Sequence, residues 1–495
     1  MKASIPLAAA LALWLAAAPY ARAADSRPGL AACRLPGVEH EAWCGVLKRP
    51  LDPAQPQGRQ IDIHYALLPA LARNRKPDPV FFFAGGPGQS AIELAGPISR
   101  MLARLSNRRD IVLIDQRGTG RSAPLRCEED APTAPLAQTA DPAQQVARMQ
   151  ACRRRLEVLP QGAQGGLAHY ATWVAMQDAD AVRAALGVAQ VDLVGGSYGT
   201  RAALEYLRQF PQAVRRTVID GVAPPDMVLP ASFSTDNQAA LDAEIAACEG
   251  EPACRARHPT LRADWQVLLA GLPRSVQVQH PVTGAVERIT VTRDMLLGLV
   301  RAPLYVPALT SALPEALAAA AQGRFEPLLG LASATSGNSP GKIFEGMHFS
   351  VVCAEDLPRL AQATDRPGAD FGDTFAAQYR QICADWPRTE VPPAFYRLPQ
   401  AASAVLLLSG GADPVTPPRH AARVALALGP KARHVVVPQA GHGVMALGCM
   451  RDVLFRFIDA ASDDEALKVE ADCAGRMPRP GAFVPVTAPA VEAVK

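Results

Sequence analysis

Ser197 lies in the run Gly195-Gly196-Ser197-Tyr198-Gly199, directly after the apolar run Val191-Asp192-Leu193-Val194 and before a stretch of helical pattern over 200–210. A Gly-x-Ser-x-Gly turn between a strand and a helix is a nucleophile elbow. The turn is so tight that a side chain at either glycine would strike the neighbouring strand or helix, and it holds the serine oxygen above the sheet edge. The following helix directs its positive N-terminal end at that oxygen. A serine hydroxyl needs a base, and the base needs an acid to orient it. On such a scaffold the chain order is serine, acid, histidine. Asp413 follows the apolar run over 405–408, in the turn Gly410-Gly411-Ala412-Asp413-Pro414. His442, in Gly441-His442-Gly443, follows the run over 434–437. Both stand in the required order and place, and histidine is the side chain that titrates nearest neutral pH. Of the nine histidines, His434 begins a strand rather than following one, and His420 falls in the helix expected after Asp413. Both read as solvated or structural. Asp220, at the end of the run over 217–220, is the rival acid; the Gly-rich, Pro-flanked turn favours Asp413.

The tetrahedral intermediate of acyl transfer needs two N–H donors. One is expected from Tyr198, the residue after the nucleophile. The other is expected from the loop Gly85-Gly86-Pro87-Gly88, at Gly86, where small residues let the backbone come close. A phosphate-cradling role for that loop fails, because no Gly-Lys-Ser/Thr follows and Pro87 lacks a donor. No Cys-x-x-Cys or Cys/His cluster has metal-ligand spacing, and the chemistry requires neither a metal nor a cofactor.

The elements that must position these residues are short runs of β-branched and aromatic residues at 80–83, 111–114, 191–194, 217–220, 404–409 and 434–437. Helical patterns lie between them at 173–186 and 200–210, so the runs read as buried parallel strands. Residues 61–67 alternate apolar and polar and read as a half-exposed antiparallel strand. From 224 to 399 the strand–helix alternation weakens into a domain-sized stretch rich in alanine and leucine, with helix-like segments such as 313–322. The expected fold class is α/β, of the α/β-hydrolase kind: a mostly parallel, doubly wound sheet carrying a large, mainly helical cap insertion. The sheet domain is expected over 24–223 and 400–475, the insertion over 224–399, and a loosely attached tail over 476–495.

Lys2, the apolar stretch over 5–18 and Ala21-Arg22-Ala23 make a cleavable export signal over 1–23, too short to span a bilayer comfortably. The chain has ten cysteines. An even count behind such a signal reads as five disulfides formed in an oxidising compartment. The cysteines fall as close neighbours, so the expected pairs are Cys33–Cys44, Cys127–Cys152, Cys248–Cys254, Cys353–Cys383 and Cys449–Cys473. The location expected is secreted or periplasmic, without membrane attachment once the signal is removed. With 50 basic and 47 acidic residues, the net charge of +3 gives no electrostatic reason to expect nucleic acid as a partner. A monomer is the favoured state.

Three segments taken together resemble the prolyl iminopeptidase and secreted tripeptidyl aminopeptidase group of serine peptidases. They are Gly85-Gly86-Pro87-Gly88-Gln89-Ser90, Asp115-Gln116-Arg117-Gly118-Thr119-Gly120-Arg121-Ser122 and Gly195-Gly196-Ser197-Tyr198-Gly199-Thr200. The block over 406–473 is similar to the C-terminal domain of the tripeptidyl branch, as are Ser350-Val351-Val352-Cys353-Ala354-Glu355 and Cys383-Ala384-Asp385-Trp386. Prolyl iminopeptidases usually carry histidine before the Gly-Gly-Pro-Gly loop; Ala84 stands there, which favours the secreted branch over strict proline specificity. The resemblance implies release of N-terminal proline or short di- or tripeptide units from peptide substrates through an acyl-enzyme. Such an enzyme needs a wall against longer substrates and a carboxylate for the free α-amino group. Glu355 is the first candidate, with Asp356 and Glu345 behind it. Two other readings stay open. One is a carboxylesterase or lipase-like hydrolase, since ester and amide cleavage share the acyl-enzyme route. The other is a non-catalytic binding protein that uses the cleft.

Overall fold

The computed structural model describes residues 29–139, 141–336 and 341–483, so the export signal expected over 1–23 lies outside the described residues. Nine strands form one sheet in the order β1-β2-β3-β5-β4-β6-β7-β10-β11. They are β1 (Ala31–Cys33), β2 (Ala42–Pro50), β3 (Gln60–Leu68), β4 (Val80–Phe83), β5 (Ile111–Ile114), β6 (Val191–Gly196), β7 (Val214–Asp220), β10 (Val405–Gly410) and β11 (Ala432–Val437). The first strands pair antiparallel, β1 with β2, β2 with β3 and β3 with β5. From β5 onward every pair is parallel. The alternation over 61–67 is thus an antiparallel strand, and the continuous apolar runs are the parallel ones, buried on both faces because helices cover both. Side chains of a strand point alternately to the two faces. Phe81 and Phe83 accordingly join one apolar layer, and Val80 and Phe82 join the other.

The helices used below are α1 (Pro142–Glu157), α2 (Thr172–Ala185), α3 (Tyr198–Gln209), α4 (Leu229–Gly250), α5 (Arg293–Leu304), α6 (Glu345–Glu355), α7 (Thr374–Cys383) and α8 (Pro418–Leu428). Helix α3 leaves the end of β6, and α8 links β10 to β11. Between β7 and β10 the chain makes α4 to α7, several shorter helices and one antiparallel hairpin, β8 (Arg274–Gln279) with β9 (Val286–Val291). This stretch has an apolar core of its own, with Trp265, Leu296, Leu297 and Phe325 fully enclosed.

All five disulfides join the cysteines in the consecutive pairs expected from their spacing. None of the five links residues 224–399 to the rest of the chain. The described part of the tail differs from the expectation of loose attachment. Arg479 pairs with Glu244, the Ala482 N–H donates to Glu251, and the Phe483 N–H donates to the Ser311 carbonyl at 2.9 Å. Backbone donors that find fixed acceptors on the insertion hold this segment in place, despite a composition rich in proline and alanine.

Candidate active site

The serine turn is built by close approach of three elements. A Cβ on Gly195 would fall 2.4 Å from the Gly199 carbonyl oxygen, and one on Gly199 would fall 2.0 Å from the carbonyl oxygen of Phe83 on β4. Only glycine lets β6, α3 and β4 meet this tightly. Ser197 pays for the turn with φ of 55° and ψ of −125°, a strained conformation for a residue with a side chain. Its N–H donates to the Asp220 carbonyl at 2.8 Å, and its carbonyl accepts from Thr200 Oγ1 at 2.6 Å.

The loop after β4 lies against this turn, since a Cβ on Gly85 would meet the Ser197 Cβ at 3.2 Å. Gly86 has φ of 110°. The N–H groups of Gly86 and Tyr198 find no acceptor among the described residues, and both residues line the same cavity as Ser197. The insertion braces the loop from the other side. The Phe344 N–H donates to the Gly88 carbonyl at 2.9 Å, and Gln89 Nε2 donates to the Gly341 carbonyl at 2.9 Å. His348 Nδ1 stands 3.3 Å from the Pro87 carbonyl and Nε2 stands 2.8 Å from Tyr379 Oη. Burial pushes the His348 imidazole down to about 4, so it is neutral at neutral pH. A carbonyl only accepts, so Nδ1 carries the proton and Nε2 accepts from the tyrosine. Asp115 turns inward, accepting from Ser90 Oγ at 2.5 Å and from the N–H groups of Ile92 and Arg121. It fixes loops and touches no member of the site.

The structure brings Asp413 and His442 together at 2.8 Å, Oδ2 to Nδ1. Asp413 is held in turn by the N–H groups of Val415 and Thr416, each at 2.9 Å, and by Thr416 Oγ1 at 2.7 Å. Burial alone would raise its carboxyl, but the imidazole and these donors outweigh burial and hold it below the ordinary carboxylate range. Burial likewise pulls His442 down, and the Asp413 charge overcomes it, so the imidazole sits above its ordinary value. The ring packs against Gly221, where a Cβ would lie 3.1 Å from Cε1, directly beyond the residue that accepts from the Ser197 N–H. The side-chain hydrogen bonds of His442 run to Asp413 and Thr416, and none runs to Ser197. Such a bond is often long in a free enzyme and tightens with substrate in place.

Asp220, the rival acid, faces the loop after His442. Its Oδ2 accepts from the N–H groups of Val444 and Met445 at 2.6 and 2.7 Å, and burial pushes its carboxyl up to about 6. It therefore anchors the histidine loop. His434 pairs with Ser409 Oγ, and His420 is buried against Asp236 of α4. Thr416 and Tyr305 also belong to the site, and neither is among the candidates read from the sequence. Tyr305 accepts the His442 N–H on its carbonyl at 3.1 Å and sets its ring edge-on to the imidazole at 5.3 Å.

The three carboxylates considered for an amino group take different places. Asp356 and Glu355 are both enclosed against Arg201 of α3, at 3.0 and 3.2 Å. Glu355 also accepts from the Thr172 N–H at 2.6 Å and from Thr172 Oγ1, and burial pushes it up to about 7. Their acceptors are already used. Glu345, at the start of α6, makes no ion pair or hydrogen bond through its carboxylate among the described residues. It lines a cavity of about 290 Å³ together with Ser197, Gly86, Tyr198 and Thr416. Of the three, Glu345 is the one that lines the cavity of Ser197. A second cavity of about 1060 Å³ lies between α1, α5 and α7, and Arg301, Glu345 and Phe349 line both.

Residues 78–248 match a family model described as the alpha/beta hydrolase fold. Residues 368–469 match one described as TAP-like protein. Serine protease Hip1 of Mycobacterium tuberculosis is 28% identical over 414 residues, covering 76% of this chain and 77% of that protein. Tripeptidyl aminopeptidase of Streptomyces lividans is 32% identical over 212 residues, covering 41% of this chain and 38% of that protein. Carboxylesterase B of Mycobacterium tuberculosis is 29% identical over 416 residues, covering 78% of each. With its sheet topology, its elbow and these likenesses, the chain is a serine hydrolase of the α/β-hydrolase fold whose C-terminal part is TAP-like.

Proposed function

We propose that this enzyme is an exported serine peptidase that releases short N-terminal units, proline or di- and tripeptides, from peptides. Ser197 attacks the scissile carbonyl, and His442 takes its proton and returns it to the leaving amine. Asp413 holds the imidazole in the tautomer with Nδ1 protonated and stabilises its cationic form. The N–H groups of Gly86 and Tyr198 receive the oxyanion. The observation that carries the aminopeptidase reading is Glu345, an unpaired carboxylate in the cavity that also holds Ser197. An ammonium group set against a partly desolvated carboxylate discriminates strongly against a blocked terminus. The likeness to Hip1 and to tripeptidyl aminopeptidase supports peptide as substrate, and five disulfides support an oxidising compartment. No helix among the described residues is long and apolar enough to cross a membrane.

A panel of unblocked aminoacyl- and peptidyl-arylamides, their N-acetyl versions and simple esters tests the reading. The expected result is turnover of unblocked arylamides, loss of that turnover in Ser197→Ala with the fold intact, and a raised KM for the unblocked series alone in Glu345→Gln. Turnover of esters only would replace the peptidase by the carboxylesterase reading, which the likeness to Carboxylesterase B favours. Wild-type activity in Ser197→Ala would remove the nucleophile assignment.

A further inference from the structure

We propose that Arg301 forms a carboxylate-binding subsite in the cleft, so that the enzyme selects substrates bearing an anionic group near the acyl centre. This inference rests on the peptidase reading above. Arg301 projects from α5 at the boundary between the two cavities and lines both. Three cations line these cavities. Arg201 is paired with Asp356 and Glu355, and Arg148 is paired with Asp130. Arg301 has no carboxylate partner among the described residues.

Its guanidinium is held instead by aromatic rings, 4.9 Å over Phe233, 5.4 Å over Phe375 and 5.5 Å over Tyr305. Rings on the faces of a guanidinium stabilise the cation and leave its in-plane N–H groups for acceptors. One of these donates to Tyr305 Oη at 2.8 Å. Nε is buried and has no acceptor. Of the acids lining the larger cavity, Asp294 accepts from Thr374 Oγ1 at 2.9 Å, Asp373 pairs with Arg380, and Glu345 makes no ion pair with Arg301. A cation kept in a half-enclosed cleft without an anion is costly, and an incoming carboxylate relieves that cost through charge-assisted, fork-shaped hydrogen bonds. Tyr305 joins this cation to the acid–base pair, since it bonds Arg301 through its hydroxyl and His442 through its carbonyl. A carboxylate bound here therefore sits beside the reacting groups. Together with Glu345 it gives the cleft one unpaired charge of each sign.

Two sources supply that carboxylate, an acidic side chain or the free C-terminus of a short peptide. Wild type and Arg301→Gln are compared on four unblocked peptides of one sequence, ending in carboxylate or carboxamide and carrying glutamate or glutamine at one position. The expected result for wild type is a preference of about tenfold or more in kcat/KM for the carboxylate of one arm, expressed mainly in KM. In Arg301→Gln that ratio falls to near one, whatever the absolute rate, and Arg301→Lys gives a ratio between. The arm that shows the preference identifies the source. Equal rates on carboxylate and amide in wild type, or a ratio unchanged in Arg301→Gln, overturns the subsite. If wild type cleaves none of the peptides while Ser197 still reacts with a fluorophosphonate, the peptidase reading has failed. The same ratio is then measured on 4-nitrophenyl hemisuccinate against its methyl ester, where equal rates overturn the subsite independently.

Discussion

Under the proposed mechanism, the Asp413–His442 contact sets the acid limit of the chemistry. Burial pulls the imidazole down, Asp413 pulls it up, and the carboxylate prevails, so His442 stays protonated to a pH above its ordinary value of 6.5. A protonated imidazole cannot accept the serine proton. On the acid side kcat/KM is therefore expected to fall with a midpoint above 6.5. Asp413→Asn removes the nearest raising charge, leaving burial opposed only by the more distant Asp220, so the midpoint moves down and kcat drops by about 10⁴-fold. Steady-state kinetics across that range checks both; a midpoint that stays put in the variant assigns the limb to another group. Ser197, Asp413 and His442 stand out as candidates in the sequence because each sits in a glycine-bearing turn just past a strand. Thr416 carries a weaker signal, a hydroxyl three residues past the acid, which suits a turn that bonds its own aspartate. The partners of Arg201 were beyond reach, since 154 and 155 residues separate it from Glu355 and Asp356 and no periodicity links them.

At the scale of elements, the elbow is a junction with no spare volume. Gly199→Ala would drive a methyl group to 2.0 Å from the Phe83 carbonyl oxygen, so β4 and α3 must part. Overpacking of this kind costs about 1–3 kcal/mol or more, and it also displaces the serine. Thermal unfolding is expected to show a lowered Tm, and fluorophosphonate labelling of Ser197 is expected to slow sharply. A variant that labels at the normal rate would show that the junction tolerates the methyl group. The parallel strands were readable because each carries a short run of β-branched or other apolar residues that ends at a turn. The β8–β9 hairpin leaves only a faint trace in the sequence, although Val276 and Val278 on β8 and Ile289 and Val291 on β9 are buried at alternate positions. Its strands are mostly exposed and polar between those residues, and they lie in surroundings dominated by alanine and leucine, so a short period-two signal did not stand out.

For the whole molecule, no disulfide joins residues 224–399 to the rest of the chain, so side-chain contacts hold the two against each other. Arg201 of α3 ties Asp356, Arg419 and His420 of α8 tie Asp236, and Arg479 ties Glu244. The Arg201 cluster is the most enclosed of these. Arg201→Met leaves two buried carboxylates without their cation, a loss of about 3–5 kcal/mol. Glu355, already pushed up to about 7 by burial, loses the cation that holds it down, so the stability it carries is present at low pH and is lost as pH rises. The deficit in Tm relative to wild type is expected to shrink on acidification; a deficit that is constant or grows on acidification argues against uncompensated charge as its cause. The disulfides follow a different rule from this joint. Their partners are 6 to 30 residues apart, and in every case each cysteine is bound to its nearest unpaired neighbour in the chain. A polypeptide that is oxidised as it emerges, end first, meets each correct partner before the next wrong one arrives. The native set can be written in a single pass along the chain, with no bond to undo by an isomerase.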